Sequence, residues 1–381
     1  MTALLLLFAL AFIVSVDVRI IAPVLPSISE SLGATPGTVG LAMTTYAFAY
    51  GTGQLVYGQL SDRYGRVAVI RLAALGFSCF TALSALSGTA WQFIAVRLLV
   101  GAFAGAVIPL TLVFIGDSFE YSERQAVLGR FSVATSAGTA FSAAVGGTVA
   151  HFVSWRVMLL GYAALALGPA LLLLRQASHR PPRAAGEGGR AVRFLDILAD
   201  PRARLVYIAI FVEGFMLWGT VTYLGAFASR RHGLDQLAVG LLIALFGVGT
   251  MVGGSLMGPA RRRFSENAVA GTGGTLMAVA LLAIIPRWPW SVFAAAMLAL
   301  GLGFVGLHTT LQLRGTELNP AARGKAFSLF AFNLFAGSAL GTALLGRLVD
   351  AGLDSLMVAI SATGLFLVGA GTSRVKRRAH R

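Results

Sequence analysis

Charge is scarce in this chain. Of its 381 residues, only 12% are charged, while 57% are hydrophobic. Soluble domains carry about 25% charged residues, so this sequence has too few polar groups to cover a globular surface. The shortage excludes an ordinary soluble protein and favours one that spans a membrane.

Cysteine and nucleotide-binding motifs are also lacking. Cys79 is the only cysteine, which excludes an intramolecular disulfide and a cysteine metal cluster. The chain has no Gly-x4-Gly-Lys-Ser/Thr loop for ATP and no His-Glu-x-x-His helix. We therefore predict no enzyme activity, no catalytic residue, no cofactor and no metal site.

Long apolar segments recur along the whole length. A helix needs roughly 20 mostly apolar residues to cross a bilayer. The segments that meet this requirement are 3–25, 38–58, 67–87, 91–115, 126–150, 156–175, 205–228, 237–258, 268–286, 290–311, 326–347 and 355–372. They predict an all-α membrane protein with twelve transmembrane helices. The first segment lacks a basic leader and runs into Asp17 and Arg19, so we interpret it as a retained helix and not a cleaved signal peptide.

The formal net charge of +15 is unevenly distributed. If the N-terminus is cytoplasmic, 21 of the 30 basic residues fall on the inner loops, the linker or the C-terminal tail, and five fall on the outer loops. This positive-inside bias predicts a multi-pass protein of the cell (inner) membrane with both termini in the cytoplasm. It accounts for the basic charge without a nucleic-acid partner. Contact of the tail with anionic membrane lipid is a further use of that charge.

A stretch rich in proline, glycine and arginine divides the chain. Residues 176–204 are predicted as a cytoplasmic linker between an N-terminal six-helix bundle (1–175) and a C-terminal six-helix bundle (205–372), with a basic tail at 373–381. The halves share a spacing: Gly116, Arg124, Gly138 and Gly147 recur 199 positions later as Gly315, Arg323, Gly337 and Gly346. Because six spans is an even number, the repeat would be parallel and the bundles related by a pseudo-two-fold axis. Chance matching among abundant glycines is the alternative.

The nine residues from Gly58 to Arg66 combine charge and glycine between two apolar spans, which predicts a tight cytoplasmic loop. The pattern Gly-x-Leu-x-Asp-Arg-x-Gly-Arg resembles the signature loop between helices 2 and 3 of the major facilitator superfamily. The resemblance implies a gating role for Gly58, Asp62, Arg63, Gly65 and Arg66. In that role Asp62 would stabilise the outward-open form by pairing with a nearby arginine and the N-terminus of helix 11. The alternative is a solvated turn whose charge only sets the topology.

Asp17 and Arg97 lie inside the predicted spans 1 and 4. A charge within a span costs about 2.5–3.5 kcal/mol even on lenient insertion scales. At 1.5 Å per residue both fall in the outer half of the membrane, where they can pair. The sequence from Asp17 to Pro26, and the Arg-x-x-x-Gly pattern that starts at Arg97, resemble the proton-driven efflux group of the superfamily. That resemblance implies proton coupling by this pair, and the alternative is a static ion pair that fixes helix packing.

Glu213 lies in the predicted span 7 among aromatic residues. One acid in an aromatic setting suits an apolar or cationic substrate, since cations are attracted to aromatic faces. The predicted substrate contacts are Arg19, Tyr46, Glu213, Trp218, Tyr223 and Asn333. Weaker candidates are Gln54, His308 and Gln312. Packing and interhelical hydrogen bonds are the alternative roles for these side chains.

Span 5 departs from the resembled group. Its glycines follow the spacing of the antiporter motif, but Ser142 and Ala143 stand where that motif has Gly-Pro. The missing proline removes an expected kink and weakens the case for antiport.

The resemblance extends over essentially the whole chain. It implies a monomeric secondary active transporter that exports a drug-like, lipophilic or sugar-like small molecule in exchange for protons by alternating access. The alternative on the same fold is a proton symporter or a uniporter for uptake of a small metabolite. A rival from another class is a membrane receptor or intramembrane enzyme, which would hold one fixed conformation.

Overall fold

The computed structural model describes residues 2–175, 193–319 and 322–374. Nearly all of these residues are helical, and this part of the chain contains no β-strand. Most of the predicted linker at 176–204 and most of the predicted tail at 373–381 lie outside the described residues. The fold class is therefore all-α, as the composition predicts.

The first half of the chain forms long helices joined by short turns. Pro23 and Pro26 interrupt the first helical run, because proline lacks the N–H that an α-helix needs. The side chains of Thr35, Thr89 and Ser154 cap helices by accepting a backbone hydrogen bond. The elements are α1 (Thr2–Ile20), a 3₁₀ turn (Ala22–Val24), α2 (Leu25–Ser31), α3 (Pro36–Tyr64), α4 (Arg66–Ala85), α5 (Ala90–Ser118), α6 (Tyr121–Phe152) and α7 (Trp155–Leu174).

The second half begins with a short helix and continues in the same style. The side chains of Asp200, Asp235 and Ser265 each cap the helix that follows them. The elements are α8 (Phe194–Leu198), α9 (Pro201–Glu213), a π-helical turn (Gly214–Trp218), α10 (Gly219–His232), α11 (Gln236–Arg263), α12 (Glu266–Ala283), α13 (Trp290–Glu317), α14 (Arg323–Asp350) and α15 (Asp354–Arg374). The π-helical turn joins α9 to α10 without a break in the helical run.

Nine helical segments in the described residues are long and apolar enough to cross a membrane. They are Ala3–Ser31, Arg66–Ala85, Ala90–Ser118, Trp155–Leu174, Pro201–His232, Gln236–Arg263, Trp290–Glu317, Arg323–Asp350 and Asp354–Arg374. The helices α3, α6 and α12 have 29, 32 and 18 residues and fall outside that set. Large apolar side chains such as Leu72, Leu165 and Leu367 are exposed, which suits lipid better than water. The chain is a multi-pass helical membrane protein.

The predicted loop from Gly58 to Arg66 is wrong in its extent. The helix α3 continues through Gly58 to Tyr64, and α4 begins at Arg66. The break consists of Gly65 alone, whose φ of 92° is open to glycine and strained for other residues. Because one left-handed residue reverses the chain, the charged residues lie on the ends of two helices and not in a flexible loop.

Glycines allow the helices of each half to pack backbone to backbone. A Cβ added at Gly101 of α5 would lie 2.3 Å from the carbonyl oxygen of Tyr46 in α3. In the second half, a Cβ added at Gly301 of α13 would lie 2.2 Å from the carbonyl oxygen of Phe246 in α11. These contacts leave no room for a side chain, so they fix how closely each helix pair approaches.

A second pair of glycines makes comparable contacts. A Cβ added at Gly138 of α6 would lie 2.5 Å from the carbonyl oxygen of Phe12 in α1. One added at Gly337 of α14 would lie 2.0 Å from the carbonyl oxygen of Phe211 in α9. Gly138 and Gly337 are 199 positions apart, and so are their partners Phe12 and Phe211, so this contact recurs in the two halves.

The two halves meet tightly at one end of the molecule, which we call the closed end. Here the Asp350 carboxylate accepts hydrogen bonds from Thr35 Oγ1 at 2.7 Å and from the Gly37 N–H at 2.8 Å. The carboxylate thus caps the start of α3 from the opposite half. A Cβ added at Gly147 would lie 2.8 Å from Gly240 Cα, so α6 and α11 also touch through glycine.

We call the other end of the molecule the open end. The helices α3, α6, α11 and α14 join the halves at the closed end. Towards the open end they carry glycines whose added Cβ would meet nothing within 4 Å: Gly58, Gly129, Gly254, Gly258 and Gly324. The close glycine contacts between the halves thus lie at the closed end, and these five positions at the open end make none.

Candidate functional site: a central cavity with two buried charge pairs

A cavity of about 520 Å³ lies between the two halves. It is lined by helices from both, including α1, α3, α5 and α6 on one side and α11, α13 and α14 on the other. Aromatic side chains form much of its wall: Tyr46, Tyr50, Trp218, Phe246, Phe304 and Phe335. The volume lies in the range of pockets that bind small organic molecules.

The polar groups of the cavity are almost all uncharged. Hydroxyl and amide side chains line it, including Ser15, Thr135, Thr139, Thr222 and Gln312. Among the described residues that line the cavity there is no lysine, arginine, aspartate or glutamate. His308 is the one imidazole among the described residues that line the cavity. The cavity surface therefore suits a neutral or cationic organic molecule better than a strong acid.

Asp17 and Arg97 form the predicted ion pair. Arg97 Nη1 donates to Asp17 Oδ1 at 3.1 Å and Nη2 donates to Oδ2 at 3.0 Å, and both side chains are completely buried. This two-point geometry is the strongest that arginine and carboxylate make. Arg97 is seven residues into α5, so the pair lies about 10 Å from the closed end at 1.5 Å per residue.

Tyr46 stands between this ion pair and the cavity. The Arg97 guanidinium lies 4.6 Å from the centre of the Tyr46 ring, while Tyr46 also lines the cavity. The Tyr46 and Tyr162 hydroxyls and Arg97 Nε are buried without a hydrogen-bond partner in the described structure. The Tyr46 ring therefore lies against both Arg97 and the cavity.

A second buried pair lies in the other half. His308 Nδ1 is 3.2 Å from Glu213 Oε2, and Glu213 is completely buried while the His308 side chain is 16% exposed. Glu213 Oε1 is buried without a partner among the described residues. His308 lines the cavity and Glu213 lies behind it. The His308 side chain therefore lies between the Glu213 carboxylate and the cavity.

A π-helical turn positions the aromatic residues beside this pair. The turn Gly214–Trp218 follows Glu213 directly, and such turns occur often at functional sites. The Trp218 ring packs edge-on against Phe246 and Phe304, with ring centres 5.5 and 5.3 Å away. Phe304 in turn stacks on His308 at 4.6 Å. These contacts link Trp218 to the histidine–glutamate pair.

The remaining predicted substrate contacts lie in different places. Tyr46 and Trp218 line the cavity. Tyr223 is fully buried towards the closed end, where its hydroxyl donates to the Thr342 carbonyl at 2.8 Å. Asn333 donates to the Leu329 carbonyl at 2.8 Å and is not among the cavity-lining residues. The side chain of Arg19 lies outside what the structure describes.

The predicted gating residues form a charge cluster at the open end. Arg66 pairs with Asp62 and also donates from Nε to Asp117 Oδ2 at 3.2 Å. Its Nη1 additionally donates to Ser61 Oγ. Asp62 is 66% exposed and Gly58 faces open space, while Arg63 lies over the Tyr64 ring. Arg66 thus ties the end of α3 to the end of α5.

A larger cavity of about 650 Å³ lies between α9, α13 and α15. All three helices belong to the second half, and its wall includes Leu205, Ile208 and Leu367, which are exposed on the outside of the bundle. It therefore opens towards lipid and does not connect the halves. The central cavity remains the candidate transport site.

Sequence reasoning missed the pairing of Glu213 with His308. It placed Glu213 at the substrate and ranked His308 lower, although an ionisable residue within a span signals function by default. The two residues are 95 positions apart and no local pattern links them. Phe246, Phe304 and Phe335 were missed because helices that are apolar all round do not reveal which face is turned inwards.

Comparisons with known proteins agree with this architecture. The Major Facilitator Superfamily model matches residues 7–342. The chain is 26% identical over 335 residues to the probable L-galactonate transporter of Escherichia coli (strain K12), covering 81% of this chain and 73% of that protein. It is 26% identical over 330 residues to a chloramphenicol resistance protein of Pseudomonas aeruginosa, covering 84% and 76%.

Among solved structures, the nucleoside transporter NupG is similar over 97% of this chain and 98% of that chain. The TM-score is 0.81 and the sequence identity is 14%. An identity this low bears on the fold alone.

Proposed function

Because this chain belongs to the major facilitator superfamily, and is a transporter and not an enzyme, we propose that it exports a small molecule in exchange for protons. It would do so as a secondary active transporter, by alternating access. The observation that carries the proposal is the central cavity between two halves whose close glycine contacts lie at one end. Rocking of the halves about such a cavity would expose it to each side in turn.

In this proposal the protein has twelve transmembrane helices in two six-helix bundles. The three helices α3, α6 and α12 would cross the membrane together with the nine more apolar segments. The recurring contacts of Gly138 with Phe12 and of Gly337 with Phe211 support a parallel repeat between the bundles. The even number of crossings would place both termini on the same side.

The termini would lie in the cytoplasm of a bacterial cell. The arginines Arg261, Arg262 and Arg263 at the end of α11 and the gating cluster at Arg66 lie at the open end, and the positive-inside rule assigns that end to the cytoplasm. The conformation would then be inward-facing. The closed end would face the exterior.

The substrate we propose is a neutral or cationic molecule of drug-like, lipophilic or sugar-like character. The aromatic wall and uncharged hydroxyl groups of the cavity support this class. The relative named for chloramphenicol resistance agrees with it. Uptake of a small metabolite by a proton symporter or a uniporter is the second candidate, and the relative named as a probable L-galactonate transporter favours it. A sugar acid would meet no arginine or lysine among the described residues of the cavity lining.

Asp17 and Arg97 are the proposed proton-coupling pair. Protonation of Asp17 would release Arg97 from its two hydrogen bonds and change the packing of α1 against α5. Tyr46 and Trp218 would contact the substrate directly. Glu213 does not line the cavity, so it would influence the substrate electrostatically, through its contact with His308.

Proton movement in proteoliposomes tests the proposal. Wild type and Asp17→Asn would be challenged with lipophilic cations, neutral antibiotics and sugars, with an internal pH indicator as readout. We expect substrate-driven proton flux in wild type and its loss in Asp17→Asn. Substrate flux without proton movement, unchanged in the variant, would leave a uniporter. Proton and substrate moving in the same direction would indicate a symporter.

Asp62→Asn tests the proposed gate. Asp62 pairs with Arg66 at the open end, and in the outward-open form it would also meet the start of α14. Removing its charge should weaken that form, slow transport several-fold and leave substrate affinity in the inward-facing form unchanged. Turnover would be measured alongside binding to purified protein. Glu123→Gln, an exposed acid in the first turn of α6, is the matched control. Equal turnover in wild type and Asp62→Asn would reject the gating role.

A further inference from the structure

Three hydroxyl side chains line the central cavity where α1 packs against α6: Ser15, Thr135 and Thr139. Thr135 and Thr139 are four residues apart, so they lie on the same face of α6. Gly138 lets α1 approach this face closely, because a Cβ added at Gly138 would lie 2.9 Å from Ser15 Cβ. We call Ser15, Thr135 and Thr139 the hydroxyl cluster.

Each hydroxyl of the cluster donates its hydrogen to the backbone of its own helix. Ser15 Oγ donates to the Ala11 carbonyl at 2.8 Å, and Thr139 Oγ1 donates to the Thr135 carbonyl at 3.1 Å. Thr135 Oγ1 donates to the Phe131 carbonyl at 3.2 Å. A carbonyl oxygen has no hydrogen to give, so the hydrogen in each bond belongs to the hydroxyl. With these bonds in place, each hydroxyl oxygen can only accept a further hydrogen bond.

Donor and acceptor groups of a ligand therefore meet the cluster differently. A ligand N–H or O–H can bond to these oxygens while the bonds to the backbone stay intact. A ligand acceptor can bond only if the hydroxyl hydrogen turns away from its carbonyl, which loses one hydrogen bond. One such bond changes affinity by roughly two- to tenfold. The cluster thus favours ligands that donate.

The second half of the cavity contributes acceptors of the same kind. Thr222 Oγ1 and Thr250 Oγ1 also line the cavity and donate to carbonyls of their own helices at 2.9 and 2.6 Å. Groups that can donate to a ligand stand elsewhere in the described lining, including the Tyr46 hydroxyl and the Gln312 amide. The preference for donors is therefore a local property of the wall formed by α1 and α6.

The hydroxyl cluster adjoins the aromatic wall. Thr139 lines a second, smaller cavity of about 20 Å³ together with Trp218 and Phe246. The Trp218 and Phe246 rings pack edge to face, with centres 5.5 Å apart. A ligand that lies against Trp218 would therefore present one edge to Thr139.

We propose that Ser15, Thr135 and Thr139 are specificity-determining residues, which select substrates that carry N–H or O–H donors on an edge next to an aromatic or apolar face. This inference rests on the proposed export function and narrows its substrate class. The donor edge binds the hydroxyl cluster and the apolar face packs on Trp218. A molecule of the same shape whose edge carries only acceptors binds less tightly.

Calorimetric binding to purified protein in detergent tests the selection. The probes are chloramphenicol and adenosine, which carry hydroxyl donors near an aromatic ring, each compared with the derivative in which every hydroxyl is methylated. Methylation removes the donor and keeps the oxygen as an acceptor. Wild type should bind each parent compound more tightly than its methyl ether, by roughly two- to tenfold for each hydrogen bond lost.

Substitutions in the cluster should reduce this ratio of affinities. Thr135→Val and Thr139→Val keep nearly the same side-chain shape and remove the oxygen, so the ratio should fall towards one. Thr139→Ser keeps the oxygen and should retain the wild-type ratio. A steric penalty for the added methyl groups would persist in the valine variants, and a packing defect would weaken both probes alike.

A threonine outside the cavity gives the matched control. Thr275 of α12 is exposed, does not line the cavity, and donates to the Gly271 carbonyl at 2.9 Å, as the threonines of the cluster do within α6. Thr275→Val should leave the ratio at its wild-type value. Ser15→Ala supplies an independent reduction from α1, so the test does not depend on α6 alone.

Three results would overturn the inference. They are methyl ethers that bind wild type as tightly as their parents, wild type that binds neither parent, and a wild-type ratio in all the variants of the cluster. Proton exchange in liposomes driven equally by parent and methyl ether would leave the proposed function standing without this selectivity. Donor-selective binding without any proton exchange would instead keep the role of the cluster and remove the export mechanism.

Discussion

Arg97→Leu is expected to destabilise the protein by about 3–5 kcal/mol, because it leaves the Asp17 carboxylate buried without its partner. Both side chains are completely buried, and two hydrogen bonds join them at 3.0 and 3.1 Å. The carboxylate must then either take up a proton or draw water into the bundle. Thermal unfolding in detergent, followed by loss of the monodisperse species on size exclusion, measures the effect.

A double variant separates packing from coupling. Apolar replacement of both partners of a buried ion pair is often neutral or stabilising, so Asp17→Leu with Arg97→Met should recover most of the lost stability. It should not recover proton-driven transport if the pair couples the two fluxes. A stable double variant that retains wild-type proton exchange would assign the pair to helix packing alone. Single variants as stable as wild type would show that the pair is not sealed from water.

The second large effect is expected at the closed end. Gly147→Val would add a side chain whose Cβ alone would lie 2.6 Å from the Gln236 carbonyl oxygen and 2.8 Å from Gly240 Cα. Overpacking costs about 1–3 kcal/mol, and here the halves can relieve it by separating. The ratio of the two conformations should therefore shift by roughly five- to 150-fold towards the form that is open at this end.

Distance measurements between spin labels test this shift. Labels at Ser31 and Leu353 are exposed and flank the closed end from opposite halves. Cys79 is the only native cysteine, so Cys79→Ser gives a clean background. The distance between the labels should lengthen in Gly147→Val. Gly161→Val is the matched control, because a Cβ at Gly161 meets nothing within 4 Å. An unchanged distance distribution in Gly147→Val would mean that the α6–α11 contact does not hold the halves together.

The family and the membrane class followed from local features of the sequence. The scarcity of charge excluded a water-facing surface, and the run from Gly58 to Arg66 carried the resemblance that the family match supports. The pairing of Asp17 with Arg97 was also predictable, because charges inside a span are so costly that two of opposite sign at similar depth need each other. These inferences depend on residue type and on distance along a helix, which a sequence gives directly.

The orientation of each helix around its axis was decided by the tertiary structure alone. Spans that are apolar on every face carry no periodic signal, so the inward positions of Phe246 and Phe304 followed only from packing. Glycine contacts set that packing, as at Gly301 against Phe246, where the partner is distant in sequence. The same holds for Glu213 and His308, which the π-helical turn and the approach of α13 bring together. The sequence thus determined which charged side chains this membrane protein must bury, because burial within a span follows from where a residue lies in the chain. The packed helices decided which side chains reach the cavity, because access to it depends on how each helix is rotated about its axis.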